Sequence, residues 1–544
     1  MQVKGGCMST VESDREHLHS LGYAQELHRG LGTFSNFAIS FSIISILAGG
    51  MTSYWLGMVA GGPRVIMLGW VIVGFFALLV GMSMGEICST YSTAGGLYYW
   101  SAKLAKKNGP AWSWFTGWFN LVGQIGVIAS VDYALAIFIG FFIRSYDSSF
   151  RLSTGNIFLI FCLVLIAHGL LNTFGVNLVR LLGDISVWWH VTGVVIIFLF
   201  LLIAPSSREG FSFIFKERNL TGWTGGVSTV YTFMIGLLLA QYTITGFDAS
   251  AHVSEETFDA RTSAPKAIVR AIYISAIAAL LLNLAMTQAM PKGSDAYSAV
   301  AFGGGGDTFY VNAAPRLITA AIGGAGAKFL ILISIVAQFF CGMMSVTANS
   351  RMIYAFSRDG GLPLSRIWHK INPKTRTPTN SVWLGVVLSA IVGTTSFAQK
   401  GGYSTAFFAL TGITVVGLYI AYVIPIFLRL RDKDFVKGPW HLGRWSHVVG
   451  WTSVAWVIFV TIIFFVPPFW PFWPITGKDH AADGSVSLYY INNFNFTGPL
   501  IVGAFILFGA WYVLSAHKWF TGPKVQGTRE ELLAIEHELD AISH

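Results

Sequence analysis

Five ionisable side chains lie inside long apolar stretches, where they could act on charged solutes or on protons. They are Glu86, Asp132, His168, His190 and Asp248. An ionisable group at the centre of a membrane costs about 2.5 to 3.5 kcal/mol on insertion scales, so each one needs a partner or a function. Histidine titrates near neutral pH and can alternate between charge states as protons bind and leave. Such groups indicate binding of a charged solute or of protons.

The positions of these groups predict different roles. Asp132 follows Gln124 by eight residues, close to two helical turns, so both side chains can face the same side of one helix. We expect Gln124 to contact a substrate, whereas Asp132 either contacts an ammonium group or pairs internally. Glu86 precedes a polar loop and is expected to form a gating or structural pair. His168 lacks a positional argument and is expected to pack within its helix.

The composition is that of a membrane protein. Of the 544 residues, 54% are hydrophobic and 11% are charged, which would leave a water-soluble protein without enough polar surface. A helix needs about 20 apolar residues to cross a hydrocarbon layer of about 30 Å. Windows of this kind predict twelve spans, at residues 34–57, 65–88, 113–142, 155–174, 183–204, 228–251, 267–290, 327–350, 380–398, 404–428, 448–469 and 497–516.

An even number of spans places both termini on one side, and positive residues predict that this side is the cytoplasm. Of the 35 Lys and Arg residues, 24 fall on the tails, loops and span ends of that side. The basic stretches at 351–376 and 429–444 are explained as topology signals that attract anionic lipid, so no nucleic-acid partner is expected. Residues 1–30 lack the apolar core of a cleavable signal peptide and form a predicted cytoplasmic tail. Residues 521–544 form a second tail with a short amphipathic helix.

Two predicted spans contain interruptions. The run SILAGGMTS occupies residues 45–53 of span one, and TITGFD occupies residues 243–248 of span six. A break leaves backbone N–H and C=O groups that hydrocarbon cannot satisfy, so it must face protein, ligand or a watery cavity. The amino ends of half-helices carry partial positive charge and the carboxyl ends partial negative charge, which matches a zwitterion. For span one alone, a Gly-Gly helix contact is the alternative.

Four motifs in matching order carry a resemblance to a known family. They read LGYAQELHR at 21–29, FSNFAISFSIIS at 34–45, GFDASAHVSEET at 246–257 and ANSRMIYAFSRDG at 348–360. From about residue 20 to about residue 520, the chain resembles the amino acid/choline transporter family. That family belongs to the amino acid, polyamine and organocation (APC) superfamily and includes GABA permeases, choline permeases and bidirectional amino acid transporters.

The resemblance implies an all-α membrane protein of twelve transmembrane helices with a five-plus-five inverted repeat, the APC fold, in which helices 1 and 6 are broken. The implied transport core of ten spans occupies residues 31–430, and two further spans occupy residues 431–520. Substrate would reach a site at mid-depth by alternating access. Leu47 stands where the superfamily often has the first glycine of its break, which restricts the backbone there.

The resemblance also implies which residues face the substrate. These substrate contacts are Ser45, Ile46, Leu47, Ala48, Gly49, Gln124, Gln241, Tyr242, Thr243, Ile244, Gly246 and Phe247. Tyr242 or Phe247 either closes over the substrate as a gate or packs in the core. Asp248 follows at the break and is grouped with the coupling or gating residues.

Coupling is assigned to His190, which falls where some proton-coupled relatives place a basic residue facing span one. The alternative is a neutral histidine that is hydrogen-bonded to a carbonyl group. A sodium site would need hydroxyl and carbonyl groups from spans one and eight, and Ser345 and Thr347 do not identify one. We therefore expect protons to be the coupling ion.

Opposite charges meet at the predicted inner mouth. Glu255 and Glu256 end span six, whereas Arg351 and Arg358 end span eight. These charges predict an intracellular gate of ion pairs, and the alternative is that they are solvated or lipid-facing charges at helix ends.

The sequence contains no phosphate-binding loop and no helical spacing of metal ligands, so no enzyme activity, cofactor or metal is expected. We predict a secondary active transporter, a multi-pass permease of the cell membrane, that imports GABA or another small amino acid with protons. The alternatives are a permease for choline, another organic cation or a polyamine, and a nutrient sensor on the same fold. The expected partners are the substrate, protons and membrane lipid, and the oligomeric state is left open.

Overall fold

Apolar stretches form helices in this protein because a helix satisfies its own backbone hydrogen bonds where no water is available. The computed structural model describes residues 2–220, 226–303, 309–398, 405–465 and 497–543. Within these ranges, eleven helices are long and apolar enough to cross a membrane. They are spans one to five and seven to twelve: Thr33–Gly50, Val65–Thr90, Gly109–Arg144, Thr154–Thr173, Asn177–Ile203, Ala260–Gln288, Gly324–Arg358, Thr379–Phe397, Leu410–Arg431, Gly443–Phe465 and Thr497–Leu514.

Span six is shorter because it is divided. Its helices Gly226–Gly236 and Leu238–Thr243 are followed by a break, and the chain then resumes a short helix at Ala249–His252. The all-α membrane fold and the broken sixth helix are thereby confirmed. The number of twelve spans and the inverted repeat stay predictions. Residue 404 of one predicted window and residues 466–469 of another lie outside the described ranges.

Shorter elements lie between and beyond the spans. The helices are Gln2–Ser20, Leu97–Leu104, Ser294–Phe302, Ala313–Ile322, Ser365–Trp368 and Arg529–Ser543, and the 3-10 turns are Phe211–Phe215, Ser254–Glu256, Tyr310–Asn312, Thr394–Ala398, Gly443–Trp445 and Ala516–Lys518. Strands Ala60–Gly61 and Arg218–Asn219 pair antiparallel and form the one sheet of the described residues. The helix Arg529–Ser543 confirms the helix that the sequence predicts in the carboxyl-terminal tail.

Spans one, three, eight and ten form the centre of the bundle. In their most apolar windows, 83% of the residues of spans one and three and 72% of those of spans eight and ten are buried, compared with 22% in span twelve. Gly123 of span three and Gly417 of span ten allow close helix contact, since a Cβ on Gly417 would lie 3.3 Å from the Gly123 Cα. Small residues let helices approach closely in membranes. Spans three and ten therefore pack closely against each other at the centre of the bundle.

The break in span one begins at Ser45. The α-helix ends at Ile43, Ser45 leaves helical geometry with φ −12° and ψ 106°, and a π-helix follows at Ile46–Gly50. Ser45 Oγ accepts a hydrogen bond from the Ala48 N–H at 3.0 Å and thereby caps the new helix. Because the next α-helix begins only at Tyr54, the predicted interruption of span one is confirmed.

The break in span six depends on a glycine. Gly246 adopts a φ of +89°, in the left-handed region that glycine enters without steric cost. A Cβ at this position would also lie 2.4 Å from Cγ2 of Ile43 in span one. Both backbone conformation and space therefore require glycine where the two breaks meet.

We expect Gly246→Ala to lower the unfolding temperature of the detergent-solubilised protein. The substitution adds backbone strain of about 1 to 3 kcal/mol, and Ile43 must move as well. The matched control is Gly503→Ala in span twelve, where an added Cβ would meet no atom within 4 Å. Equal unfolding temperatures for the two variants would contradict this account of the break.

Candidate functional site

The two breaks lie against each other at the centre of the bundle. Ser40 of span one donates a hydrogen bond through Oγ to the Phe247 carbonyl at 2.9 Å and accepts one from the Ser250 N–H at 3.0 Å. The backbones approach so closely that a Cβ on Gly49 would lie 2.9 Å from the Thr243 Cα. Groups of spans one and six therefore share one small volume.

Two small cavities occupy this volume, and both are lined by Ile43 and Val127. The break cavity is further lined by Gly49, Val131, Tyr242, Thr243, Thr245, Cys341 and Thr414. The Asp248 cavity is further lined by Gln124, Gly246, Asp248, Ala249, Ser345, Ala348 and Leu418. Each has a volume of about 10 Å³, which is room for one water molecule, so a larger solute requires the helices to move apart.

Five of the twelve predicted substrate contacts line these cavities: Gly49, Gln124, Tyr242, Thr243 and Gly246. The other seven are buried beside the cavities: Ser45, Ile46, Leu47, Ala48, Gln241, Ile244 and Phe247. The Leu47 carbonyl, for example, accepts a hydrogen bond from Ser334 of span eight at 2.7 Å. The structure therefore divides the predicted set into residues that face free space and residues that support them.

Two tyrosines of span ten satisfy the backbone that the break in span six frees. Tyr419 donates its hydroxyl to the Ile244 carbonyl at 3.0 Å, and the Tyr422 hydroxyl accepts the Gly246 N–H at 3.3 Å. The Phe247 ring packs against the Tyr422 ring, with centroids 4.9 Å apart. Sequence reasoning missed both tyrosines, although two tyrosines three residues apart share one face of a helix.

Asp248 is the centre of a buried polar network. Its carboxylate accepts a hydrogen bond from the Tyr422 hydroxyl at 2.6 Å and one from Gln124 Nε2 at 3.3 Å. His252 Nε2 lies 3.3 Å from the same carboxylate, and His252 Nδ1 lies 2.9 Å from the Ala94 carbonyl. The sequence analysis did not single out His252, although its position four residues after Asp248 was a readable signal.

His190 is joined to the break in span one. Its Nδ1 lies 2.7 Å from the Ser186 carbonyl, which can only accept, so this nitrogen carries a proton. Its Nε2 lies 2.6 Å from Ser45 Oγ, the atom that caps the helix at Ala48. A neutral histidine completes this chain, because Nε2 can then accept the Ser45 hydroxyl proton.

Asp132 lies in contact with span four and outside the linings of the two cavities. Asp132 Oδ2 lies 3.0 Å from His168 Nδ1, and both side chains are fully buried. On the other side, a Cβ on Gly342 of span eight would lie 1.9 Å from Asp132 Oδ1. The geometry therefore agrees with the internal pairing that the sequence leaves open for Asp132, and it gives His168 a polar partner.

Glu86 connects three segments near the ends of spans two, ten and eleven. Arg429 Nε lies 3.1 Å from the Glu86 carboxylate, the Leu442 N–H donates to it at 3.2 Å, and the Ser446 hydroxyl donates to it as well. All three partners lie outside spans one and six, which contain the breaks. The contacts support the structural one of the two roles expected for Glu86.

Two buried ion pairs join the ends of spans six and eight. Arg351 contacts Glu256 through Nε at 2.6 Å and Nη2 at 3.2 Å. Arg358 contacts Glu255 through Nη2 at 3.0 Å and Nη1 at 3.2 Å. These fork-to-fork contacts are the strongest geometry available to a carboxylate and a guanidinium group. The four charges are buried rather than solvated, and we call the two pairs together the mouth pairs.

Comparison with known proteins identifies the family. Residues 31–478 match the family model described as amino acid permease. The chain belongs to the amino acid permease family. This permease is 39% identical to the amino-acid permease BAT1 of Arabidopsis thaliana, over 95% of this chain and 98% of the relative. A BAT1 homologue of Oryza sativa subsp. japonica is 38% identical, with 94% and 96% covered, and the GABA-specific permease of Saccharomyces cerevisiae is 30% identical, with 94% and 86% covered. The predicted resemblance to the APC superfamily is confirmed.

The amino-terminal tail of the permease lies directly over the mouth pairs, and we call residues 21–31 the strap. The N–H groups of Gly30 and Leu31 donate to the Glu256 carbonyl at 3.0 and 2.9 Å. Gln25 Nε2 donates to the Glu255 carbonyl at 2.8 Å, and the Tyr23 ring centroid lies 3.8 Å from Cζ of Arg358. The strap therefore contacts the backbone of both glutamates and one of the arginines.

Asp359 anchors the strap from the end of span eight. Its carboxylate accepts hydrogen bonds from the Tyr23 hydroxyl at 2.9 Å and the Tyr98 hydroxyl at 2.8 Å. Burial raises the pKa of the Asp359 carboxyl, and the neighbouring Arg358 charge lowers it in part. The carboxylate thus ties the strap and the helix Leu97–Leu104 to the same point.

The carboxyl-terminal helix holds the strap from the opposite side. Glu536 Oε1 accepts a hydrogen bond from the Gln25 N–H at 2.7 Å and lies 2.7 Å from His19 Nε2. Arg376 donates to the Gln25 carbonyl at 2.7 Å and pairs with Asp540 at 2.8 Å. Both tails therefore meet at the same mouth.

We expect the helix Gln2–Ser20 to loosen as the pH falls from about 6.5 towards 4. Burial, followed by the charges of Arg261 and Arg29, lowers the pKa of His17 to about 4, so the folded helix holds His17 neutral. The packing of this helix is therefore strongest above the ordinary histidine pKa of about 6.5, and it weakens as the pH falls below that value. Burial raises the pKa of Asp14, an effect of opposite sign.

Hydrogen exchange of this helix, corrected for intrinsic rates, measures the effect. It should be several-fold faster at pH 5 than at pH 7.5, and His17→Gln should remove that difference while leaving the contribution of Asp14 in place. An unchanged pH dependence in His17→Gln would contradict the assignment.

We expect Glu256→Gln to destabilise the permease by about 3 to 5 kcal/mol, because it leaves the Arg351 charge buried without a carboxylate. The control is Glu217→Gln, which removes an exposed pair with Arg64 at 3.5 Å and should cost less than about 1 kcal/mol. Unfolding in detergent by denaturant or heat measures both. A Glu256→Gln protein as stable as the control would show that the pair contributes nothing.

Proposed function

We propose that the protein is a secondary active transporter of the cell membrane that imports small amino acids, with GABA or another ω-amino acid as the leading substrate. The observation that carries the proposal is the meeting of two broken helices at two shared, buried cavities. A break needs protein, ligand or water as its partner, and a cavity between two breaks is suited to a small solute. Membership of the amino acid permease family supports amino acids as the solute class.

A zwitterion suits these cavities. The amino ends of half-helices favour a carboxylate, and their carboxyl ends favour an ammonium group. Gly49 and Gly246 keep the backbone accessible, because neither places a Cβ between the solute and the chain. Gln124 and Tyr242 add polar atoms from spans three and six. The seven supporting residues beside the cavities fix the position of the breaks.

Alternating access is supported by the closed mouth. The mouth pairs, the Ala94 N–H that donates to Glu255 at 2.9 Å, and the strap together separate the cavities from the end of the bundle where both tails lie. In the proposed cycle these contacts break when the site opens at that end, which we assign to the cytoplasm. Glu255, Glu256, Arg351 and Arg358 then act as the inner gate, and the five-plus-five repeat supplies the two halves that rock.

Proton coupling is proposed through His190. Protonation of Nε2 would prevent it from accepting the Ser45 hydroxyl proton, and Ser45 would have to turn its hydroxyl away. Ser45 caps the helix at Ala48, so a charge change on His190 acts on the break in span one. Protons would in this way bias the geometry of the substrate site.

A permease for choline, another organic cation or a polyamine is the second candidate, and the Asp248 carboxylate at one cavity is the observation that favours it. A nutrient sensor on the same fold would bind the same solutes without moving them. One transport experiment separates these functions.

The test is uptake by purified protein in liposomes that are alkaline inside. With one proton per substrate, a difference of one pH unit supports at most about tenfold accumulation of GABA or alanine. We expect saturable accumulation that a proton ionophore abolishes. Uptake that stops at equal concentrations would contradict proton coupling, uptake without saturation would indicate a channel, and binding without uptake would indicate a sensor.

We expect His190→Gln to lose accumulation driven by the pH gradient, so that internal substrate falls to about the external level, while exchange of labelled for unlabelled substrate continues. Glutamine retains hydrogen-bonding atoms but cannot carry the proton. His447→Gln, at an exposed position near the start of span eleven, is the matched control. Undiminished accumulation in His190→Gln would exclude His190 as the coupling residue.

A further inference from the structure

The two cavities lie next to each other and differ in chemistry. Both are lined by Ile43 and Val127. The break cavity reaches Gly49 and Thr243, where backbone groups of both broken helices lie. The Asp248 cavity reaches a carboxylate. A solute that fills both cavities would therefore touch helix ends with one part and a negative side chain with another.

The Asp248 carboxylate has donors but no permanent cation among its contacts. Tyr422 and Gln124 donate hydrogen bonds to it, and no Arg or Lys of the described residues lies within 4 Å of it. By contrast, the arginines at the mouth pair with Glu255 and Glu256. A buried carboxylate is costly unless a positive charge compensates it. Among the described residues, Asp248 is thus the acidic group that lines one of these cavities and has no Arg or Lys partner.

His252 lies against the same carboxylate. Its Nδ1–H donates to the Ala94 carbonyl, and its Nε2 lies 3.3 Å from the Asp248 carboxylate. The other polar groups around the pair are neutral: Asn120, whose Nδ2 lies 3.4 Å from Nε2, together with Gln124 and Tyr422. These contacts therefore supply hydrogen bonds to the Asp248 carboxylate but no fixed positive charge.

Resting on the proposed transport function, we propose that Asp248 is the specificity-determining residue that receives a distal ammonium group of the substrate. The substrates would be amino acids with an amino group several carbon atoms away from the carboxylate. In ω-amino acids this is the only amino group, and in dibasic amino acids it is the second one. The carboxylate end of the substrate lies in the break cavity and the distal ammonium in the Asp248 cavity. His252 positions Asp248.

The test compares pairs of substrates that differ in the distal ammonium. Lysine and norleucine are the first pair, and they compete against labelled lysine for uptake into liposomes that contain the wild-type protein. GABA and alanine extend the comparison. We expect lysine to compete at least tenfold more strongly than norleucine. Equal competition would overturn the proposal without any variant, whereas the absence of uptake for every amino acid would overturn the transport function itself.

Asp248→Asn then tests the residue. Asparagine keeps an oxygen for the Tyr422 hydroxyl but removes the charge, so the affinity for lysine and GABA should fall at least tenfold while that for alanine and norleucine changes less than twofold. Asp184→Asn is the control, at a partly buried acid of span five that accepts a hydrogen bond from Ser35 at 3.2 Å. Tyr422→Phe should keep the preference for lysine, because it leaves the carboxylate in place.

A uniform loss for all four substrates in Asp248→Asn would mean that Asp248 only supports the break, and unchanged affinities would mean that it takes no part. Either result overturns the proposal. Should the variant fail to fold, equal competition by lysine and norleucine in the wild-type protein still overturns the proposal.

Discussion

The hydrogen bonds that satisfy freed backbone groups at the two breaks are the constraint on which the centre of this permease depends. In hydrocarbon an unpaired N–H or C=O group is costly, so each break needs partners from other helices. Span one caps itself through Ser45, whereas span six relies on Ser40, Tyr419 and Tyr422. Spans five and ten are thereby tied to the breaks, because His190 contacts Ser45 and the tyrosines contact residues 244–248. The residues around the proposed substrate site are therefore the same residues that hold these helices together.

The buried charges divide by the partner that each one has. Asp132 with His168 and Glu86 with Arg429 connect helices at places away from the cavities, and such pairs fix how helices pack. The mouth pairs connect spans six and eight, which must separate if that end is to open. Asp248 differs from both groups because it faces free space. The same cost of burial therefore serves cohesion in one place and movement or recognition in another.

Much of the fold was predictable because a membrane interior requires long apolar helices and because polar interruptions stand out within them. The spans, both breaks and the pairing of opposite charges at residues 255–256 and 351–358 were readable in this way. The sequence did not predict the hydrogen bond between the Leu47 carbonyl and Ser334 of span eight, or the hydrogen bonds from tyrosines of span ten to the break in span six. Those contacts depend on helix rotation and on neighbours that are distant in sequence. The sequence also left open whether Asp132 contacts the substrate or an internal partner, because that too depends on how the helices pack. Leu47 also shows that a missing glycine does not restore a continuous helix when Ser45 caps the new start.

The strap has a consequence for how the molecule is handled and controlled. Because Gly30 and Leu31 hold the Glu256 carbonyl while Glu536 and Arg376 hold Gln25, both termini are fastened to the end of span six. In the proposed cycle, the two ends of the polypeptide would act as a brake on the moving part. A fusion partner, a truncation or a phosphate group placed on either terminus would then change the speed of that cycle rather than serve as a silent label.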